Sequence, residues 1–182
     1  MKHPLKALVP LLAVAALATA CNPFTHKSSA PQHPKDSRFS EFVFQSDKEP
    51  TIKDQTDSVN VRWPNMEASE AHLTIAYSSQ TGFLPDKDPE FWLTAVATVP
   101  DETIQLLTEG AATDTLLPGV YPGLYEYVPQ ACKFTTIDPE FADKALAPDK
   151  SSIPDDFGPV DIQALAMSED CHLLVFTALG HS

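Results

Sequence analysis

The chain has 182 residues, 25 Asp plus Glu against 12 Lys plus Arg, a formal net charge of −13 at pH 7 and three cysteines. An acid excess with no Lys/Arg cluster excludes nucleic acid as a partner, because phosphate recognition needs a basic footprint. No G-x-S-x-G elbow, H-E-x-x-H pair, C-x-x-C pair or glycine-rich phosphate loop occurs, so the common hydrolase, zinc, redox and nucleotide signatures are missing and no cofactor is implied.

Residues 1–20 begin with Lys2 and Lys6, continue through an uncharged, mostly apolar run from Ala7 to Ala20, and close on the small residues Ala18-Thr19-Ala20 before Cys21. This is the layout of a secretory signal. As a helix the 14-residue run reaches only about 21 Å, short of the ~30 Å hydrocarbon core, so a cleaved signal is predicted over a permanent span. The small residues followed directly by cysteine resemble the lipobox of bacterial lipoproteins. The resemblance implies a diacylglycerol thioether on Cys21 and cleavage just before it. One position departs from the family pattern: the usual Leu three residues before the cysteine is Ala18 here, with Leu17 one step earlier. Ordinary cleavage after Ala20 would instead leave Cys21 as a free thiol. Two or more acyl chains anchor a protein firmly where one binds marginally, so the partner implied first is a membrane, reached through the lipid.

Lipidation would also remove the odd cysteine, leaving Cys132 and Cys171 as the available disulfide in an oxidising compartment; two buried free thiols are the alternative. The predicted lipid-attachment and spacer region runs over 21–37. Its stretch Asn22–Ser37 has three prolines, three serines and Phe24 as its one large apolar side chain, too little to bury a core. Its 16 residues span about 20–24 Å as a coil or up to about 50 Å as a proline-stiffened strand. Residues 38–182 hold 8 Lys plus Arg against 24 Asp plus Glu. That balance predicts one acidic globular domain repelled by an anionic bilayer surface.

Within 38–182, alternation of period two predicts strands. Val59, Val61 and Trp63 share one face of Ser58–Trp63, and Leu73, Ile75 and Tyr77 share one face of Ala71–Ser78. The second pattern leaves His72 on the polar, exposed face. Phe91–Val99 is apolar on both faces, as a central strand is. Pro100, Asp101 and Glu102 open a helix through Ile104 and Leu107, stopped by Gly110. A short helical turn is predicted near Asp114–Leu117. Pro159–Met167 and His172–Ala178 form a hairpin about Ser168-Glu169-Asp170, and Phe39–Gln45 and Cys132–Ile137 are weaker strands. The fold class expected is α+β and β-rich: an antiparallel sheet or two-sheet sandwich with one or two short helices.

Two segments are candidate sites. Tyr121, Tyr125 and Tyr127, with Glu126, lie among the prolines and glycines of Leu117–Pro129. Tyrosine's rigid apolar face and hydrogen-bonding tip suit contact with an envelope protein or a glycan, while the alternative is that Tyr125 and Tyr127 face the core from a strand. Asp86, Asp88 and Glu90 alternate in a loop, a pattern that either gathers oxygens on a hard cation or stays a solvated acidic loop. The side chains of Cys171 and His172 point to opposite faces of a strand and cannot serve one site. The function expected is binding or a structural role as a lipid-anchored, extracytoplasmic lipoprotein of the bacterial cell envelope. The rivals are inhibition of a basic secreted protein such as lysozyme, and a metal-dependent envelope hydrolase built on the three acids.

Overall fold

The predicted strands assemble into one six-stranded, wholly antiparallel sheet in the computed structural model, which describes residues 34–79, 88–154 and 160–181. The predicted signal over 1–20, Cys21, the spacer as far as residue 33, and Asp86 lie outside the described residues. The strands are β1 (Lys53–Asp54), β2 (Glu70–Tyr77), β3 (Glu90–Thr98), β4 (Thr135–Ile137), β5 (Val160–Ser168) and β6 (Leu173–His181), in the order β1-β2-β3-β6-β5-β4. The helices are α1 (Thr56–Arg62), α2 (Asp101–Thr108) and α3 (Pro139–Leu146). This is a small α+β fold.

β3 explains its own sequence. It sits between β2 and β6, and both of its faces are covered. Phe91, Leu93, Ala95 and Ala97 join a core with Val59, Ile104, Leu107, Ala142 and Leu146 from the three helices. Trp92, Thr94 and Val96 face the other way, where the cover is irregular chain: the arm that starts at Phe39 and the segment Leu117–Val128. The sheet therefore lies between a helical layer and a layer that holds neither α-helix nor strand. A row of threonines, Thr74, Thr94 and Thr177, runs across three paired strands on that second face, each at most 4% exposed.

The hairpin of β5 and β6 forms as expected, with a bulge between Ile162 and Ala164. The bulge has a packing cause. Val160 and Ile162 must face the helical layer together with Leu165 and Met167, and strict alternation cannot place residues 162 and 165 on one side. One extra residue, Gln163, restores the phase. A disulfide joins Cys132 to Cys171 across a Cα–Cα distance of 5.8 Å, tying the approach to β4 onto the hairpin turn. There Lys133 N–H donates to Asp170 Oδ1 at 3.2 Å and His172 takes φ 53°.

Five local expectations change. Ser58–Trp63 is not a strand but most of α1. Val59, Arg62, Trp63 and Met66 are the buried positions, a spacing of three and four that a six-residue window cannot tell from two. Asp57 in the first turn and Arg62 in the last suit the helix dipole. The Asn60 carboxamide then clasps Ala68, donating to its carbonyl at 2.9 Å and accepting its N–H at 2.8 Å. Asp114–Leu117 forms no helical turn; instead Leu117 bridges Phe39, and that single bridge is all that forms of the strand predicted over Phe39–Gln45. α3 went unpredicted although its signals are present. Asp138 accepts the Phe141 N–H at 2.8 Å as N-cap, Pro139 follows, and Lys144 lies in the last turn. His72, expected to be exposed, has a side chain only 16% exposed.

Candidate functional site

The tyrosines are placed by a 3-10 turn over Pro122–Tyr127, which the two prolines and two glycines of Pro118–Gly123 allow and a longer helix would not. They do not share one open surface. Tyr121 is 7% exposed, its N–H donates to Thr94 Oγ1 at 3.2 Å, and its ring meets Phe42 edge-on at 5.8 Å. Tyr125 is half-buried and stacks on Phe39 at 4.2 Å. Tyr127, also half-buried, stacks on His72 at 3.7 Å. Glu126 alone of the four is exposed. Burial, then the Glu49 carboxylate, pushes the Tyr121 hydroxyl up; burial, then Asp36, does so for Tyr125. For Tyr127 the same desolvation is joined by Glu126, Asp54 and Glu70. All three phenols therefore stay neutral donors at ordinary pH, part cover of the sheet and part surface.

His72 lies under Tyr127 between two carboxylates. Its Nδ1 is 2.6 Å from Asp54 Oδ1 and its Nε2 is 3.2 Å from Glu70 Oε1. The two acids sit at opposite ends of the ring, so this group cannot converge on one ion. It binds β1 and β2 to the tyrosine turn.

Of the acidic trio, Asp86 lies outside the described residues. Glu90 accepts a hydrogen bond from Ser78 Oγ at 2.9 Å, and Asp88 lies 3.9 Å from His181 Nδ1. Among the described residues no group of three His, Cys, Asp or Glu side chains is arranged to hold a metal. Cys171 is in the disulfide, and the neighbouring His172 reaches away to Asp101 Oδ1 at 2.7 Å.

Sequence reading missed a groove of about 510 Å3 where the sheet ends at β4. Leu116, Pro118, Pro139 and Ala164 supply apolar walls, and Asp114 and Gln163 are among its polar ones. Thr136 Oγ donates to the Asp114 carbonyl at 3.1 Å, holding the loop beside β4. Gly119 lets the arm pass: a Cβ there would stand 2.4 Å from the Glu41 carbonyl oxygen. Beyond the groove, the Asp143 carboxylate accepts from Trp63 Nε1 at 3.2 Å and from the Ile162 N–H at 3.3 Å, and pairs with Lys150. Lys150 also pairs with Asp161 and donates to the Val160 carbonyl at 3.0 Å. Burial lowers the Lys150 ammonium, but its bonds to Asp143 and Asp161 outweigh burial and raise it. The one signal for the groove in the sequence is the phase break between Ile162 and Leu165, since bulges gather at sheet edges and beside sites.

No family model matches the chain, and neither a curated protein nor a solved structure matches it.

Proposed function

We propose that this protein is a lipid-anchored, extracytoplasmic component of the bacterial cell envelope that acts by binding a partner rather than by catalysis. The observation that supports this most is the pairing of Cys132 with Cys171. It uses two of the three cysteines, fits an oxidising compartment, and leaves Cys21 directly behind Ala18-Thr19-Ala20 as the remaining thiol. Acylation there confines the protein to a surface, the proline-rich stretch gives it reach, and the disulfide stiffens the part that makes contact. The tyrosine turn, with Glu126 exposed at its rim, offers one contact region.

A second reading, inhibition of a basic secreted protein, is favoured by the charge of residues 38–182, 24 acidic against 8 basic. Long-range attraction of that kind raises association rates and weakens as salt rises.

Metabolic labelling with a clickable palmitate analogue tests the anchor. The wild-type protein should carry label and sediment with membranes, and Cys21→Ser should do neither. An unlabelled wild type, or a Cys21→Ser protein that still sediments, would overturn the anchored reading.

A further inference from the structure

The edge of β5 is closed on both sides of a short gap. Toward its start, Asp143 takes the Ile162 N–H and Lys150 takes the Val160 carbonyl, the kind of cover that natural sheets use to block an open edge. Toward its end, β4 pairs with Leu165, Ala166 and Met167. Between these covers lie Gln163 and Ala164, and both line the groove. The chain cannot extend β4 across the gap, because Ile137 is followed by Asp138 and by Pro139 at the start of α3.

The groove offers apolar contact and negative charge together. Leu116 on its wall is 47% exposed, one of the four exposed large hydrophobic side chains among the described residues. Asp114 lines it, Glu41 adjoins Ser40 in its wall, and no Lys or Arg is among its lining residues. Asp138, Glu140 and Asp161 flank it in sequence, and their charges are spent on the α3 cap, Lys144 and Lys150. Asp114 and Glu41 form no ion pair among the described residues.

We infer that this groove docks a short extended segment of a partner protein, one that carries lysine or arginine beside apolar side chains. The segment crosses the edge at the gap, because β4 on one side and Asp143 with Lys150 on the other leave no length of edge for an added strand. Its apolar side chains rest on Leu116, Pro118 and Ala164, and its cation meets the Asp114 carboxylate. The inference rests on the binding reading above and names the partner's chemistry.

Fluorescence anisotropy of the purified full-length protein with a labelled, alternating lysine–valine octapeptide tests it, with a glutamate–valine octapeptide as control. The lysine peptide should bind, more weakly at 200 mM than at 50 mM salt, and the glutamate peptide should not. Leu116→Ser and Asp114→Asn alter exposed side chains, so the fold tolerates them, and each should weaken binding about fivefold. Leu106→Ser, an exposed position away from the groove lining, should bind as wild type. No binding of the lysine peptide, equal binding of both peptides, or unchanged affinity in both groove variants would overturn the inference. Cys21→Ser is carried through the same titration. If it binds the peptide while the wild type takes up no palmitate, the anchored reading fails and the groove stands.

Discussion

At the scale of single residues, the polar side chains with most consequence are those that fasten remote backbone. Asp36 falls inside the predicted spacer, yet its carboxylate accepts from Arg38 Nη2 at 2.8 Å and Nε at 3.1 Å, from the Arg38 N–H at 3.0 Å, and from Gln130 Nε2 at 3.2 Å. Arg38 goes on to donate to the carbonyls of Val128 at 2.9 Å and Pro129 at 3.1 Å. The clasp thus holds the start of the arm against the end of the tyrosine segment. Its hydrogen bond from Arg38 is the main cause that holds the Asp36 carboxyl below the ordinary carboxylate range, with partial burial opposing. A lowered carboxylate pKa stabilises the fold fully above the unfolded value of about 3.9 and loses that contribution as pH falls through the folded value. Asp36→Asn should therefore lower the urea midpoint at pH 7, and the gap from wild type should narrow as pH falls below the unfolded value of about 3.9. A gap that stays constant from pH 7 to pH 2.5 would count against the clasp.

At the scale of elements, the periodicities that could be read were the long ones. β2, β3, β5 and α2 stand within a residue or two of their predicted spans, and β6 runs three residues past its predicted end at Ala178, because long alternation, or a capped helix, leaves little room for a second phase. Ser58–Trp63 was too short to decide. Its register as a helix follows from Trp63, which packs edge-on against Phe176 at 5.2 Å and donates to Asp143, two partners far away in the chain. The bulge at Gln163 gives a direct test of this logic. Deleting Gln163 should leave Val160, Ile162, Leu165 and Met167 all facing the helical layer, now by strict alternation. Thermal unfolding should move by no more than about 1 kcal/mol in stability. A loss of several kcal/mol would mean that the bulge supports more than the phase of the strand.

At the scale of the whole molecule, two layers share one sheet, and the less regular layer depends more on cross-links. The helical layer is fastened by a continuous apolar core that includes Trp63, Leu107, Leu146 and Phe176, none of them measurably exposed. The irregular layer has Trp92 between Phe42, edge-on at 5.4 Å, and Phe44, stacked at 5.7 Å, with its Nε1 donating to the Gln45 carbonyl at 3.3 Å. The disulfide then ties the end of that layer to the β5–β6 turn across 39 residues. In the chain-entropy model a loop of that length is worth roughly 4 kcal/mol. Replacing both Cys132 and Cys171 by Ser should remove about that much from the free energy of urea unfolding, and reduction of the wild type should match it. If neither lowers the midpoint, the bridge contributes nothing to the fold.

What the sequence determined by itself was whatever depends on counting or on neighbours along the chain: the long alternating strands, the capped helix, the cysteine arithmetic that paired 132 with 171, and the acidic balance. The face each tyrosine would cover, the helical phase of Ser58–Trp63 and the groove at the sheet edge were decided only by the tertiary structure. The reason is physical. Tyr121 and Tyr125 are covered by an arm some 80 residues earlier, and the groove is lined by stretches at residues 40, 114–119, 136–139 and 163–165. Contacts between segments that far apart leave no period in the sequence, because the chain between them is free to bring many other pairs together.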